Sequence, residues 1–262
     1  MLHFENKSSY DLYDLEKLIA LLRHPGGCPW DAEQTHESLR RNMLEEAYEA
    51  VEAIDEGDPE HLREELGDVL TQVVFHAGIE QDEGRFCLDD VADAVCRKLI
   101  FRHPHVFGSE DIRTSDGVLA MWDEIKKVEK KQDSVTDTLR SVARSLPALW
   151  RAEKLQKKAA KAVDAPPMDV WDAMDILADR MIGLSDAVSG EKDAEQAFGD
   201  VLFSLVNTAP LAGIDPELAL TGSSDRFTER FAEMERDAGG APLTAEQGNV
   251  LFGGTAEEAD VP

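Results

Sequence analysis

The sequence of 262 residues has little cysteine and no long apolar run. Its three cysteines, Cys28, Cys87 and Cys96, form no CxxC pair, so the spacing of a zinc site is absent and a reduced, cytoplasmic location is expected. No stretch approaches the roughly 18 consecutive apolar residues of a membrane span, and the N-terminus lacks the apolar core of a signal peptide. These absences predict a cytoplasmic protein without membrane contact.

Positive charge is scarce as well. The chain carries 27 lysine and arginine residues against 54 aspartate and glutamate residues, which gives a formal net charge of −27. Such a surface repels polyanions and therefore argues against nucleic-acid binding, whereas it attracts divalent cations. We expect no nucleic-acid partner.

The sequence also lacks the alternation of apolar and polar residues that marks a half-buried strand. Apolar residues instead recur at intervals of three and four, which predicts an all-α fold. Ser8 or Ser9 is predicted to cap the first helix, and the Gly- and Pro-containing segments 26–31 and 103–108 are predicted to be loops. Helices are predicted over residues 8–23, 35–56, 59–83, 89–101, 115–132, 134–163 (interrupted at Pro147), 170–188, 191–209 and 215–236.

Two consecutive predicted helices carry carboxylates in a pattern suited to a metal ion. Glu46 and Glu49 share one helix face, as do Glu65 and Asp68, because residues three apart on a helix point the same way. If the helices fold back across the turn at 57–59, the four carboxylates meet in a small volume, where a cation offsets their repulsion. Oxygen ligands of this kind favour Mg²⁺, with Mn²⁺ as the alternative. The competing interpretation is a solvated acidic face.

The second half of the chain repeats part of the first. Gly67-Asp68-Val69-Leu70 recurs as Gly199-Asp200-Val201-Leu202, so the aspartate is kept. The three glutamates are replaced: Ala197 stands in the place of Glu65, and Arg180 and Gly183 fall near the places of Glu46 and Glu49. The missing ligands predict that the second copy is a packing or regulatory half without a metal site.

Three further features lie outside the acidic helices. Lys98 and Arg102, four residues apart near the end of a predicted helix, either complement the helix dipole or meet phosphate oxygens. Trp30 either plugs its loop or offers a stacking surface to a flat ligand. The basic run from Lys154 to Lys161 is interpreted as a solvated face.

Six short motifs occur in order along the first half of the chain. They are Gly27-Cys28-Pro29-Trp30-Asp31, Gln34-Thr35-His36, Glu45-Glu46-Ala47-Tyr48-Glu49, Glu65-Leu66-Gly67-Asp68, Val74-Phe75-His76-Ala77 and Arg102-His103-Pro104-His105-Val106-Phe107-Gly108. Together they resemble MazG-type nucleoside triphosphate pyrophosphohydrolases. The resemblance is dense over residues 10–160 and weak over residues 168–236. A single motif of this kind is loose, whereas six in the same order are specific.

The resemblance implies an all-α fold of two related helical-bundle units in tandem and a homodimer. It also implies the reaction, in which a nucleoside triphosphate is hydrolysed at the α–β phosphoanhydride to a monophosphate and pyrophosphate with Mg²⁺. We divide the chain into a catalytic domain (8–133), a helical linker (134–166), a degenerate second domain (167–236) and a flexible tail (237–262).

Position within the motifs implies roles for individual residues. The resemblance makes Glu46, Glu49, Glu65 and Asp68 the metal ligands, Lys98 and Arg102 the triphosphate contacts, and Trp30 the candidate neighbour of the nucleobase. The chemistry of the reaction also calls for a carboxylate not fully committed to the metal, Glu45 or Glu49, to orient or deprotonate the water.

Two other functions stay open at the level of the sequence. One is a nucleotide-binding or scaffold protein without catalysis, which the degenerate second copy suggests. The other is a related enzyme specialised for dUTP or phosphoribosyl-ATP. A di-iron carboxylate bundle is disfavoured, because neither acidic motif supplies the Glu-x-x-His pair that such bundles use.

Overall fold

The computed structural model describes residues 3–109, 114–129, 134–163, 166, 168–190, 193–239 and 242–252. Within these residues every regular element is an α-helix and no strand is present, which confirms the predicted all-α fold. In chain order the helices are α1 Leu12–Arg23, α2 Pro29–Ala32, α3 His36–Glu56, α4 Pro59–Asp82, α5 Leu88–Arg102, α6 Pro104–Phe107, α7 Ser115–Glu129, α8 Val135–Arg140, α9 Ala148–Ala160, α10 Val170–Ser189, α11 Ala194–Leu211, α12 Pro216–Asp237 and α13 Ala245–Leu251.

The chain forms two compact units, Met1–Trp122 and Asp123–Pro262. Within the second unit, α9, which lies in the predicted linker 134–166, packs on α11 and α12. Residues 164, 165 and 167 lie outside the described residues. The domain limits drawn from the internal repeat therefore stay a prediction.

In the first unit, α3 and α4 form the helical hairpin that carries the carboxylates. The Thr35 hydroxyl accepts the backbone N–H of Ser38 at the start of α3, and Gly57 ends this helix with a φ of 69°. Glycine suits that left-handed conformation because it has no Cβ to clash with the backbone. Asp58 then caps α4 and Pro59 takes its first position, as predicted. The short connection packs α4 along α3.

A small apolar core holds this hairpin to α1. Its buried members are Ile19 of α1, Leu39 of α3, and Val74 and Phe75 of α4. Leu39 and Val74 are each only 2% exposed. Burying side chains of this size contributes about 1.5–3 kcal/mol each. The core therefore fixes the relative position of the two helices that carry the carboxylates.

A polar network joins the start of α3 to the later part of α4. His36 Nδ1 lies 2.7 Å from His76 Nδ1, and His36 Nε2 lies 2.5 Å from Glu80 Oε1. Arg85 donates to both oxygens of Glu80, at 2.5 and 2.9 Å. Hydrogen bonds from Arg85, and to a lesser extent from His36, lower the pKa of Glu80 to about 2. The pKa of His76 is lowered mainly by burial and further by the charge of His36. The histidines of two sequence motifs thus support the hairpin.

Three local predictions in the first unit were wrong. Asp11, rather than Ser8 or Ser9, caps α1, because its carboxylate accepts the backbone N–H three residues further on. The segments 26–31 and 103–108 were predicted to be loops, but α2 begins in the first and α6 lies within the second. Both helices begin with proline, whose fixed φ suits the first helical position even though it disrupts later ones.

The second unit is built on the helix pair α10 and α11, with α9 packed on α11 and α12. The indole Nε1 of Trp150 donates to Asp215 at 3.1 Å and so ties α9 to the residue that caps α12. Helices α8 and α9 are separated by residues 141–147, a longer break than the single interruption predicted at Pro147.

Part of the predicted flexible tail is helical. α13 begins with reciprocal hydrogen bonds between Thr244 and Gln247. Leu251 is only 4% exposed, and the ring of Phe252 lies 5.7 Å from that of Phe227 in α12. The prediction was wrong for this segment because a helix of seven residues is too short to show a clear apolar period. Residues 253–262 lie outside the described residues.

Among the described residues, no single helix is long and apolar enough to cross a membrane. The pair α11 and α12 reaches that length and composition only when both are taken together, and the two are bent by 105°.

Candidate active site

Three glutamates converge on the α3–α4 hairpin. α3 carries Glu46 and Glu49, three residues apart on one face, and α4 brings Glu65 opposite them. One carboxylate oxygen from each residue lies within 4.8 Å of the other two. In the described part of the chain, no other group of three or more acidic, histidine or cysteine side chains brings its ligand atoms this close. The three oxygens form a site that one cation can contact.

The carboxylates of this cluster act on one another. Burial is the main cause that raises the pKa of Glu46, and the negative charges of Asp68, Glu49 and Glu65 raise it further. A hydrogen bond with Glu49 adds to the shift. The ionised form of Glu46 is therefore disfavoured until a positive charge compensates the cluster. Glu46 and Glu65 are half-buried, whereas Glu49 is exposed to solvent.

Asp68, the fourth predicted ligand, lies at the edge of this group. It follows Glu65 by three residues on α4 and is exposed. The structure does not include it among the three residues whose oxygens lie within 4.8 Å, but its charge raises the pKa of Glu46. Asp68 is therefore close enough to act on the cluster electrostatically.

Glu45 points to a different partner. Arg41 Nε donates to Glu45 Oε1 at 2.7 Å, and both side chains lie on the exposed surface of α3, one helical turn apart. Glu45 does not belong to the cluster of three. Of the two glutamates predicted to act on water, only Glu49 lies in the cluster.

His61 contacts the cluster and was not singled out from the sequence. Its Nε2 lies 3.3 Å from Glu65 Oε1, and its Nδ1 lies 2.8 Å from Glu56 Oε2. Hydrogen bonding with Glu56, followed by the charges of Glu56 and Glu65, raises the pKa of His61. The signal available in the sequence was spacing alone, since His61 precedes Glu65 by one helical turn.

The two predicted phosphate-binding cations lie on α5. Lys98 is exposed, and Arg102 is half-buried in the last turn of the helix. The indole Nε1 of Trp122 donates to the backbone carbonyl of Arg102 at 2.7 Å. This bond fixes the end of α5, where the family resemblance expects the triphosphate to be held. The contact of Lys98 and Arg102 with a triphosphate stays a prediction.

Trp30, the predicted neighbour of the nucleobase, lies in the short helix α2. Its side chain is 58% exposed, so it does not plug the segment that contains it. The backbone carbonyl of Trp30 accepts a hydrogen bond of 2.7 Å from Gln34 Nε2, which holds the end of α2. An exposed indole on a fixed backbone leaves a flat surface available to a ligand.

Residues 34–107 match the model of the MazG nucleotide pyrophosphohydrolase domain, a range that contains the whole hairpin. The chain is 42% identical over 232 residues to a nucleoside triphosphate pyrophosphohydrolase of Escherichia coli (strain K12), which covers 85% of this chain and 87% of that protein. It is 40% identical over 223 residues to the nucleoside triphosphate pyrophosphohydrolase/pyrophosphatase MazG of Thermotoga maritima. This similarity covers 85% of this chain and 84% of the T. maritima protein. It is also 47% identical over 231 residues to YabN of Bacillus subtilis, but spans only 47% of YabN.

The all-α fold and these similarities define an enzyme of the nucleoside triphosphate pyrophosphohydrolase class. The similarity to the E. coli and T. maritima proteins extends over most of their length and of this chain, so the protein belongs to the MazG nucleotide pyrophosphohydrolase family. This confirms the family resemblance seen in the motifs, while the degenerate second copy stays a prediction.

Proposed function

We propose that this chain hydrolyses a nucleoside triphosphate at its α–β phosphoanhydride and releases a nucleoside monophosphate and pyrophosphate. The observation that carries the proposal is the convergence of Glu46, Glu49 and Glu65 within 4.8 Å in a chain of the MazG family. Relatives in E. coli and T. maritima carry the name of this activity.

Mg²⁺ is the proposed cofactor, with Mn²⁺ as the alternative. The cluster fits such an ion because all its donors are carboxylate oxygens. Burial, and then the charges of Asp68 and Glu49, raise the pKa of Glu46, so a bound cation would favour its ionised form. Glu46, Glu49 and Glu65 would hold the ion, with Asp68 as the fourth ligand. When bound, the ion supplies positive charge to phosphate oxygens and lowers the pKa of a coordinated water.

Glu49 is the proposed acceptor of the proton from the attacking water. It lies in the cluster and is exposed, so water reaches it. Glu45, the alternative, is held by Arg41 on the surface of α3. A carboxylate next to the reacting water orients it and takes up its proton as the bond to phosphorus forms.

Lys98 and Arg102 are the proposed contacts of the phosphates, and Trp30 that of the nucleobase. Charge-assisted hydrogen bonds from the two cations stabilise the negative charge that develops on the departing pyrophosphate. The support for Trp30 is its exposed ring, which can stack on a base.

The second unit is proposed to contain a related hairpin, α10 and α11, that binds no metal. Asp200 is the counterpart of Asp68, and Arg180 falls near the place of Glu46. Arg180 Nη1 lies 4.0 Å from Asp200 Oδ2, so a guanidinium group supplies positive charge near the surviving carboxylate. This pair supports a hairpin in which the guanidinium group of Arg180, rather than a metal ion, offsets the negative charge of Asp200.

The active protein is further proposed to be a homodimer in the cytoplasm. No residue of α5 is buried, and its last turns expose Leu99, Ile100 and Phe101. An apolar surface of this kind favours association with another protein surface, for which a second copy is the simplest source. The three cysteines are free, which agrees with a reducing compartment.

Product analysis tests the proposed reaction. Purified protein is incubated with canonical and modified nucleoside triphosphates, including dUTP, and with phosphoribosyl-ATP, in Mg²⁺ or in EDTA. We expect a monophosphate and pyrophosphate in Mg²⁺ and neither in EDTA. Orthophosphate with a diphosphate would contradict the proposed bond cleavage. Binding without turnover of any compound would favour the non-catalytic nucleotide-binding protein instead.

A further inference from the structure

A cavity of about 340 Å³ lies in the second unit, at α8, the start of α9 and the segment between them. We propose that it binds the phosphate group of a small organic molecule about the size of a nucleoside monophosphate. Its lining combines three arginines with three apolar side chains: Arg140, Arg144 and Arg151, and Leu139, Val142 and Leu155. This site shares no residue with the carboxylate cluster of the first unit.

The arginines carry charge that the described residues do not neutralise. Neither Arg140, Arg144 nor Arg151 forms a salt bridge with a carboxylate in the described part of the chain. By contrast, Lys157 on α9 pairs with Glu153 at 2.6 Å. The Nε atom of Arg151 is buried and has no hydrogen-bond partner among the described residues. A buried donor without a partner is destabilising, so Arg151 keeps hydrogen-bonding capacity that the described residues do not use.

The surrounding sequence strengthens this charge imbalance. Residues 134–163 contain seven lysine and arginine residues against two aspartate and glutamate residues, in a chain whose net charge is −27. The basic run from Lys154 to Lys161 belongs to this segment, and the arginines that line the cavity precede it. A locally positive segment attracts anions that the rest of the surface repels.

The chemistry of the lining selects the ligand. The planar fork of arginine matches the oxygens of phosphate better than a point charge does, and a terminal phosphate offers three oxygens and nearly two negative charges to three guanidinium groups. Leu139, Val142 and Leu155 supply an apolar wall for an organic group attached to the phosphate. The volume is at the low end of the roughly 300–1,000 Å³ of ligand sites, which fits a small molecule rather than a macromolecule.

The proposal does not rest on the activity proposed above, because it involves neither a metal ion nor the acidic hairpin. Binding is therefore measured in EDTA, by calorimetric titration of the full chain with AMP, inorganic phosphate or adenosine. Arg140 and Arg144 are exposed, so the double substitution R140Q/R144Q is expected to preserve the fold, as thermal unfolding would verify. The matched control is Lys154→Gln, which removes one charge from an exposed residue of α9 outside the cavity lining.

We expect one AMP per chain, binding of inorganic phosphate at least fivefold weaker, and no binding of adenosine. R140Q/R144Q should weaken AMP binding at least tenfold, whereas K154Q and the first-unit variant Lys98→Gln should leave it within twofold. The absence of saturable binding, or equal binding by wild type and R140Q/R144Q, would overturn the proposal. So would loss of AMP binding in Lys98→Gln, since the nucleotide would then occupy the first unit.

Discussion

Nε2 of His61 lies 3.3 Å from Oε1 of Glu65, and the other ring nitrogen of His61 lies 2.8 Å from Oε2 of Glu56. Glu56 is the last residue of α3, and His61 is in the first turn of α4. The connection between the two helices therefore positions one of the three clustered carboxylates. Groups that hydrogen-bond to metal-binding carboxylates commonly orient them and tune their affinity.

Replacing His61 by asparagine should weaken metal binding. The shorter side chain no longer links Glu56 to Glu65, so Glu65 loses its fixed orientation. We expect the affinity for Mn²⁺, measured by calorimetry, to fall about tenfold or more. The control is His24→Asn, which changes an exposed imidazole whose only hydrogen bond among the described residues is with the backbone carbonyl of Pro25. Equal Mn²⁺ affinities for His61→Asn and wild type would contradict a positioning role.

Glu80 should make the stability of the protein depend on acid pH. Its pKa is lowered from 4.5 to about 2, chiefly by hydrogen bonding from Arg85. A lowered pKa in the folded state stabilises the protein fully above pH 4.5, and this contribution is lost as the pH falls toward 2. We expect Glu80→Gln to lower the urea midpoint at pH 7, and the difference from wild type to shrink below pH 4.5.

Glu52→Gln is the matched control for that experiment, because Glu52 is an exposed carboxylate of α3. At pH 7, Glu52→Gln should lower the urea midpoint less than Glu80→Gln does. A difference between Glu80→Gln and wild type that grows on acidification would mean that the sign of the Glu80 contribution is wrong.

Mg²⁺ should stabilise the folded protein through the carboxylate cluster. A ligand that binds only the folded state at about 100 times its dissociation constant adds about 2.7 kcal/mol to the free energy of unfolding. We expect Mg²⁺ to raise the thermal midpoint of the wild-type protein and EDTA to reverse this rise. In Glu46→Gln, Mg²⁺ should no longer raise the midpoint. Asp200→Asn, in the second unit, should retain the full rise. A rise that persists in Glu46→Gln would place the ion elsewhere.

Truncating the core beneath the hairpin should destabilise it. Leu39 is 2% exposed and contributes to the core shared with Ile19, Val74 and Phe75. We expect Leu39→Ala to lower the free energy of opening of α3 and α4 by about 2–5 kcal/mol, since it leaves a cavity. Hydrogen exchange of peptides from the hairpin measures this quantity. Leu44→Ala, at a site 49% exposed, should change it much less, and an equal effect would show that the core lies elsewhere.

The hairpin was predictable because its ends carry strong local signals. Gly57, Asp58 and Pro59 each favour one conformation at one position, and the structure uses all three as predicted. The short helices α2 and α6 were missed because they have only four residues, too few for an apolar period. Proline often marks the end of regular structure, but in both segments it occupies the first position of a helix.

The cluster was predictable to the extent that helix geometry determines it. A three-residue spacing puts Glu46 beside Glu49, and the turn brings Glu65 to them. The role of His61 was harder to foresee because its two partners lie on different helices, so the contact exists only after the turn has formed. The same holds for the three arginines that line the cavity in the second unit. They come together only once the segment between α8 and α9 has folded.

The most direct test compares pyrophosphate release by Glu65→Gln and Asp200→Asn, two substitutions that each remove one carboxylate charge with little change of shape. Glu65 belongs to the cluster of the first unit, and Asp200 belongs to the proposed degenerate hairpin. With Mg²⁺ and saturating nucleotide, we predict that Glu65→Gln releases pyrophosphate at least about 100-fold more slowly than wild type, while Asp200→Asn is unchanged and both variants keep their helicity. A Glu65→Gln enzyme as active as wild type, or a loss confined to Asp200→Asn, would contradict the assignment of the active site to the first hairpin.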